Sequence, residues 1–529
     1  MSKVYDSNQN LQKKILEGVD ILTDNVASTL GPKGRNVILQ QKDRNPIITK
    51  DGVTVAKFVD FEDPVMNLGA QIIKQAATET NNVAGDGTTT ATVLSRALLK
   101  NAQKYILSGV PPVEIKKGMD KAVNALCDEL DRMSKPITSE EDIAHVATIS
   151  ANGDTSIGKM IALAVDSIGK DGTITVEEGR SVDTALDIVE GFRFDSGYAA
   201  KSFVTDERRN VVKHADVLLL VTDYAVEAVE EVLPTLEIAA RAGRPLIIVA
   251  DAIEGQALAA LIMNSVRGTM KVVGVKAPRY GEERRNILSD LAVATGATFV
   301  TREADITLQD VKLEHLGQAK SIEVLKGFTT IVGGATELEE MDKRVESLKS
   351  LIQQTDDLTE CEKIQERIVR LASGVAIIKV GAHTEIEMVE KKHRIEDALE
   401  AVRSAQLEGV VMGGGSALVK CAANVKNIKT ENDAEAIGVR IVKESVADPL
   451  KQMALNAGES PDLILNQVLK LKGDRGYDFK NSQVVDMIEK GIVDPVKVTK
   501  TALKNACSVA STLITTNYAI VEVESKSTH

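Results

Sequence analysis

The feature that most constrains the fold of this chain is a change of pattern in its middle. Between Ala215 and Thr301, short apolar runs alternate with amphipathic stretches. The apolar runs are 216–222, 245–251, 270–277 and 298–301, and the amphipathic stretches are 226–242, 255–267 and 282–295. Strands and helices that alternate in this way are typical of βαβ units. The middle of the chain is therefore predicted to be an α/β domain.

The segments on either side are predicted to be rich in helix. Apolar residues recur at three- and four-residue spacing from Leu11 to Leu30, which predicts an amphipathic helix that ends at Gly31-Pro32. The following stretches are predicted as β-rich runs (36–40, 46–50 and 53–59), helices (66–80 and 89–108) and a charged helical hairpin (337–373, with its bend at 355–359).

The two helix-rich flanks are predicted to meet in space as one domain, into which the α/β domain is inserted. The length of 529 residues agrees with this division, because it exceeds the usual size of a single core. Gly191 and Gly374 flank the insert, and Pro136 and Gly409 are a second pair of candidate joints. Single glycines and prolines more often mark ordinary turns than hinges. The predicted fold class is multidomain α/β.

Composition argues against several classes of function. A formal net charge of −13 disfavours nucleic acid as a partner, because sequence-independent binding to phosphates needs a basic face. The cysteines form no CxxC or Cys/His cluster, so neither a disulfide framework nor a zinc site is indicated. The first ten residues are polar and lack the apolar core expected of a secretory signal, and no stretch is apolar for the ~20 residues that a membrane helix needs. We expect a cytoplasmic protein without nucleic-acid or membrane partners.

The sharpest local motif is Gly-Asp-Gly-Thr-Thr-Thr at 85–90, which runs directly into a helical pattern. Glycines let backbone N–H groups approach an anion, and a helix N-terminus favours negative charge. Asp86 supplies a hard oxygen of the kind that Mg²⁺ prefers. Because Asp, Gly and Thr are also capping residues, the motif alone indicates a phosphate site and a simple helix cap equally. Neither GxxxxGK[ST] nor GxGxxG after a strand occurs, so this is not a common P-loop.

Further candidates lie in both flanks. Glycines at 31–34 and 413–415 fit one nucleotide pocket formed by the joined halves, or else two ordinary turns. Asp51 and Asp397 are candidate carboxylates for orienting a water on a γ-phosphate or for binding metal. A hairpin turn at Asp51-Gly52 and a solvated helix face at Asp397 are the simpler local interpretations.

Apolar residues in the α/β insert recur at helical spacing, which by itself predicts core packing. They would form a protein-binding groove if they were exposed. These residues are Leu233 and Leu236, then Leu258, Ile262 and Met263, with Tyr198 and Phe203 in the preceding segment.

At these positions the sequence resembles the group I (bacterial-type) chaperonins along nearly its whole length. The shared motifs are TLGPKGRNV (29–37), ITKDGVTVA (48–56), AGDGTTTATVL (84–94), TISANGD (148–154), EDALEAVR (396–403) and GVVMGGGSAL (409–418). The resemblance implies an ATP-hydrolysing, ring-forming chaperonin that binds non-native client proteins and promotes their folding. It further implies a mostly helical equatorial ATPase domain (1–132 and 409–529), a small α+β intermediate hinge domain (133–190 and 375–408) and an inserted α/β apical domain (191–374).

The resemblance also implies roles for individual residues. ATP would be surrounded by Thr29, Leu30, Gly31, Pro32, Lys50, Asp86, Gly87, Thr88, Thr89, Thr90, Ile149, Ser150, Gly413, Gly414, Asp478 and Asp494. Asp86 would hold Mg²⁺, K⁺ would lie at Thr29 and Lys50, and Asp397 would act on the attacking water with help from Asp51. Client proteins would bind Tyr198, Phe203, Leu233, Leu236, Leu258, Ile262, Met263 and Asn264.

Several positions depart from the family pattern. Asp478-Phe479-Lys480 stands where the family usually has Asn-Ala-Ala, so contacts to the base are expected to differ. Ser202 replaces a tyrosine of the client groove, Ser196 replaces an arginine that would pair with Glu385, and Ser460 replaces an acidic residue between rings. The implied assembly is a seven-membered ring, single or double, with or without a co-chaperonin lid. A holdase with little ATP turnover and a small-molecule phosphotransferase remain as alternatives.

Overall fold

The computed structural model describes residues 2–40, 46–168, 173–179, 181–207, 209–336, 338–354, 358–372 and 374–523. The first part of the chain forms β1 (Ser2–Ser7), α1 (Asn8–Ala27), β2 (Val37–Leu39), β3 (Ile47–Thr49), α2 (Gly52–Phe58), α3 (Pro64–Ala84), α4 (Thr88–Leu107), α5 (Pro112–Met133), α6 (Glu140–Ser150) and α7 (Thr155–Ile168). The middle forms β4 (Thr173–Glu178), β5 (Ala185–Phe194), β6 (Val212–Val221), β7 (Ala225–Val226), α8 (Val229–Ala242), β8 (Leu246–Ala250), β9 (Ala252–Ile253), α9 (Gly255–Val266), β10 (Val272–Lys276), α10 (Gly281–Thr295), β11 (Gly317–Val324), β12 (Thr329–Gly334), α11 (Leu338–Gln354), α12 (Leu358–Ala372) and β13 (Gly374–Val380). The last part forms α13 (Glu385–Glu408), β14 (Val410–Met412), α14 (Ser416–Asn424), α15 (Asp433–Ser445), α16 (Asp448–Ala457), α17 (Pro461–Lys470), β15 (Arg475–Asp478), β16 (Gln483–Asp486), β17 (Val493–Pro495), α18 (Val496–Ile514) and β18 (Tyr518–Val523).

The chain divides into two compact units. The first comprises Met1–Leu163, Glu178–Thr184 and Val380–His529, and the second comprises Ala164–Glu177 and Ala185–Lys379. The two ends of the sequence therefore fold together around an inserted middle, as the sequence predicts. The finer division into three domains stays a prediction.

Long helices whose apolar faces meet hold the first unit together. Leu11, Val19 and Leu22 of α1 are fully buried, as their spacing predicts. Helix α1 packs against α3 and α4, and α4 packs against α18 from the other end of the chain. Strands β1 and β18 likewise pair antiparallel, from Ser2 opposite Val523 to Ser7 opposite Tyr518. Both flanks thus contribute to one core.

The prediction of a strand at 53–59 is wrong, because these residues form helix α2. The β-branched residues of this stretch favour a strand. However, the Asp51 carboxylate accepts hydrogen bonds from the N–H groups of Val53 and Thr54 and so caps the helix. The two strands predicted before it are present as β2 and β3, which pair antiparallel.

An eight-stranded mixed sheet runs through the second unit in the order β10-β8-β6-β11-β12-β5-β13-β4. Strands β10, β8 and β6 are parallel, and helices α8, α9 and α10 alternate with them along the chain. Every residue of β8 is buried, as expected of a parallel strand covered on both faces. The predicted βαβ pattern is confirmed, except that residues 298–301 contribute an isolated bridge from Val300 to Thr222 rather than a strand.

Helices α11 and α12 form the predicted hairpin, although residues 355–357 of its bend lie outside the described residues. Asp290 of α10 is almost fully buried and accepts hydrogen bonds from Arg344 of α11 and Arg367 of α12. One carboxylate therefore links three helices. Among the described helices, none combines the length and apolar character needed to cross a bilayer.

Candidate functional site

A large cavity lies within the first unit, beside the N-terminal end of α4. Its volume of about 550 Å³ is in the range of small-molecule sites. Its wall includes Thr29, Leu30, Gly31, Pro32, Lys50, Asp51, Asp86, Gly87, Thr88, Thr89, Thr90, Ile149, Ser150, Asp397, Gly414, Asp478 and Asp494. The structure thus brings together residues from both ends of the chain that the sequence assigned to one site.

Gly413 is the nucleotide-site candidate that does not line this cavity. The next two residues, Gly414 and Gly415, line the cavity. A Cβ atom added to Gly413 would lie 3.2 Å from Oδ1 of Asp494 and 3.1 Å from the carbonyl oxygen of Ile492. Gly413 therefore does not contact the cavity itself. Its lack of a side chain lets the end of β14 approach the segment that carries Asp494.

The α3–α4 junction has the geometry of an anion site rather than of a capped helix. Gly87 has φ +92°, and a Cβ atom there would lie 2.8 Å from Cγ1 of Val498, so both the backbone angle and the space require glycine. No side chain caps α4, which leaves its first N–H groups without intrahelical partners. The hydroxyl of Thr88 is buried and has no hydrogen-bond partner among the described residues. These donors fit a phosphate.

Asp86 and Asp494 are two partly buried carboxylates on the same wall. Asp86 accepts hydrogen bonds from the N–H of Gly87 and from the hydroxyl of Ser150, the latter at 3.3 Å. Burial nevertheless raises the pKa of Asp86, and burial together with the negative charge of Asp86 raises the pKa of Asp494 to about 7. Within the described chain, no ion pair joins a basic side chain to either carboxylate. A hard cation such as Mg²⁺ would supply the missing positive charge, so this donor set fits the metal.

Asp51 and Asp397, the two candidate carboxylates for the attacking water, line the cavity at different helices. Asp51 accepts hydrogen bonds from the N–H groups of Val53 and Thr54 and from the hydroxyl of Thr54, at 3.0, 3.1 and 2.6 Å. Three of about four acceptor positions on this carboxylate are therefore used to hold the start of α2. Asp397 lies on the cavity face of α13.

Lys50 and Thr29, the residues predicted to lie at K⁺, both line the cavity. The ammonium of Lys50 donates to the carbonyl of Gly31 at 3.1 Å, and burial followed by the nearby charge of Arg394 lowers its pKa. The hydroxyl of Thr29 donates to the carbonyl of Val26 at 2.8 Å. The Lys50 ammonium has no lone pair for a cation, whereas the Thr29 hydroxyl keeps its lone pairs while it donates. K⁺ at these residues would therefore be held by backbone carbonyl oxygens and by the Thr29 hydroxyl oxygen.

Sequence reasoning missed a polar face of α13. Glu390, His393 and Arg394 line the cavity together with Asp397. Their spacing of three, four and seven residues places them on one side of a helix, and this signal was available in the sequence. Arg394 forms ion pairs with Asp154 at 3.5 Å and with Glu390 at 2.8 Å. Lys480 and Lys490 also line the cavity, but no periodicity marks them.

The residues predicted to bind clients divide into exposed and buried groups in the second unit. Leu233 of α8 and Met263 of α9 are each 48% exposed. Tyr198, Leu258 and Ile262 are partly buried against the core, and the side chain of Asn264 donates to the carbonyl of Ala260. Phe203 and Leu236 are only 1% and 6% exposed, because they pack inside the core of this unit. The structure therefore places these two beneath the surface, where a client would not contact them.

Comparison with known proteins agrees with this architecture. The sequence model of the TCP-1/cpn60 chaperonin family matches residues 22–524. A crystal structure of the chaperonin gp146 from bacteriophage EL 2 (Pseudomonas aeruginosa) with ATP-BeFx, in crystal form II, is similar to this chain with a TM-score of 0.67 at 21% identity, covering 98% of this chain and 100% of that one. Crystal form I gives a TM-score of 0.62 at 22% identity, with coverage of 98% and 99%.

Proposed function

Because this chain belongs to the TCP-1/cpn60 chaperonin family, we propose that it is a chaperonin that hydrolyses ATP, binds non-native proteins and promotes their folding. The observation that carries the proposal is the uncapped N-terminus of α4 in the cavity, where the Thr88 hydroxyl has no partner among the described residues and the partly buried carboxylate of Asp86 lines the same wall. A phosphate group and its divalent cation would satisfy both at once.

The phosphates of ATP are proposed to lie at the N-terminus of α4. Backbone N–H groups of Thr88, Thr89 and Thr90 and the Thr88 hydroxyl would donate to phosphate oxygens. Asp86 would hold Mg²⁺, which when bound neutralises charge between phosphate oxygens. Ser150 would keep the Asp86 carboxylate oriented through its hydrogen bond.

Asp397 is proposed as the carboxylate that orients the attacking water and accepts its proton. It lines the cavity on α13, and most acceptor positions of Asp51, which also lines the cavity, are used in capping α2. Asp51 would therefore contribute at most one further hydrogen bond to the same water. K⁺ is proposed at the backbone of Thr29 and Lys50, where it would add positive charge beside the phosphates.

Client proteins are proposed to bind the exposed Leu233 and Met263 and the partly exposed Leu258 and Ile262 of α8 and α9, with Tyr198 and Asn264 beside them. Misfolded chains expose apolar surface without a common sequence, so an apolar surface of low specificity suits them. Phe203 and Leu236 would support this surface from the core.

Assembly is proposed as a homo-oligomeric ring of seven subunits in the cytoplasm, with a co-chaperonin lid as a further partner. Exposed apolar side chains on the two-stranded hairpin β2–β3 support assembly, since Ile38 is 68% exposed and Ile47 and Ile48 are also exposed. Within each subunit, the proposed domains are 1–132 with 409–529, 133–190 with 375–408, and 191–374.

The test is ATP hydrolysis by the purified protein with Mg²⁺ and K⁺, measured together with its mass in solution by light scattering and its recovery of a chemically denatured enzyme. We expect turnover, a mass of many subunits and ATP-dependent recovery. Client capture without ATP turnover would instead support a holdase. Phosphate transfer to a small molecule without client capture would support a phosphotransferase.

A further inference from the structure

The turn between β15 and β16 forms a rigid edge of the cavity. Asp478 Oδ1 accepts hydrogen bonds from the N–H groups of Lys480 and Asn481, and its Oδ2 accepts one from the side chain of Asn481 at 2.7 Å. On the outer side of the turn, the ammonium of Lys33 donates to the hydroxyl of Ser482 at 3.0 Å. The carboxylate predicted to contact ATP at Asp478 is thus used to fix the backbone of its own turn.

This turn borders the apolar part of the cavity. Leu30, Met453, Tyr477 and Phe479 pack in one apolar cluster, and all four line the cavity. The anionic end of a nucleotide belongs at the N-terminus of α4, so the apolar wall is left for the nucleoside.

Lys480 projects from the fixed turn across the cavity rim. Its Nζ atom lies 3.4 Å from the position that a Cβ atom on Gly153 would occupy, and both residues line the cavity. The side chain therefore spans from the β15–β16 turn to the turn between α6 and α7. Within the described chain, its ammonium has no hydrogen bond or ion pair. A lysine that is held at its backbone and unpaired at its charge is a donor available to a ligand.

We propose that Lys480 binds the nucleoside of the bound nucleotide, with its ammonium donating to acceptor atoms of the ribose or base, and so retains the nucleotide in the cavity. This inference rests on the proposed nucleotide-binding function and assigns a specificity-determining residue to that site. The alternative is that Lys480 acts on the phosphates through its charge alone.

The test compares the wild-type protein with Lys480→Met, which keeps the length of the side chain and removes its charge and donors. Dissociation constants are measured by calorimetry for ATP, ADP and inorganic tripolyphosphate, each with Mg²⁺. Because a hydrogen bond from a charged donor is at stake, we expect Lys480→Met to weaken ATP and ADP by about 10-fold or more. Tripolyphosphate, which has no nucleoside, should change less than about 2-fold, and Lys480→Arg should retain most of the affinity.

Lys472→Met is the matched control, because Lys472 is also an exposed lysine but does not line the cavity, and its loss changes the net charge equally. Unchanged nucleotide affinity in Lys480→Met, an equal loss for tripolyphosphate, or an equal loss in Lys472→Met would each overturn the assignment. Failure of the wild-type protein to bind ATP would overturn the proposed function along with it. Wild-type binding without an effect of Lys480→Met would overturn this inference alone.

Discussion

At the scale of single residues, the acidic groups of the cavity are distinguished by the partners that each already has. The carboxylate oxygens of Asp478 and Asp51 accept hydrogen bonds from neighbouring backbone N–H groups. Asp86 and Asp494 are partly buried and have no basic partner in the described chain, which disfavours their charged forms unless a cation binds. The sequence alone cannot separate these roles. Asp51 and Asp86 both precede a glycine, for example, and yet only Asp51 caps a helix.

Asp397→Asn is expected to lower the turnover number for ATP by about 10²–10⁴-fold, because it removes the proposed general base and keeps the shape of the side chain. ATP affinity should change little, since the phosphate donors are on α4. Steady-state turnover and equilibrium ATP binding check the two effects separately. The control is Glu385→Gln, an exposed acid in the first turn of the same helix. Turnover within 2-fold of the wild type would remove Asp397 from this role.

At the scale of helices and strands, the sequence predicted the elements whose periodicity is carried by the core. The buried face of α1 and the uniformly buried strand β8 are examples. Helix α2 was missed, because its β-branched residues favour a strand, whereas the Asp51 carboxylate caps the segment as a helix. The resemblance placed Lys480 in the segment expected to contact the base, but the position of its ammonium depends on the turn that carries it and could not be read from the sequence.

Asp51→Ala should destabilise α2 by roughly 0.5–2 kcal/mol, the usual cost of losing an N-cap side chain. Hydrogen exchange of the backbone amides of 52–58 measures this directly. Glu62→Ala, an exposed acid just beyond the helix, is the control and should leave these amides unchanged. If exchange in 52–58 is the same in both variants, then the capping interaction does not hold the helix in place.

Asp290→Ala should loosen the hairpin of α11 and α12, because it leaves the guanidinium groups of Arg344 and Arg367 without their shared carboxylate. Breaking a buried ion pair typically costs about 3–5 kcal/mol. Faster hydrogen exchange across 338–354 and 358–372 is the expected result. Glu346→Ala removes an exposed acid from the same hairpin and serves as control. Equal protection in the two variants would mean that apolar packing alone anchors the hairpin.

At the scale of the whole molecule, client capture should depend on surface exposure rather than on apolar character alone. Leu233→Glu alters a half-exposed residue of α8 and should abolish capture of a denatured enzyme while the fold and assembly persist. Leu236→Glu places a charge in the core one turn later, so it should destabilise the second unit by several kcal/mol. Aggregation assays and thermal unfolding of both variants test this contrast. Normal capture by folded Leu233→Glu would move the client surface elsewhere.

The division of the first unit between the two ends of the chain sets an order for biosynthesis. The second unit is nearly continuous in sequence and is complete once Lys379 has left the ribosome. Helix α4 must wait for α18, and the cavity must wait for Asp494. At about 5–20 residues per second, α3 and α4 therefore remain for tens of seconds without α18, against which both pack. During its own synthesis, this chain thus carries apolar surface that is still waiting for its partner.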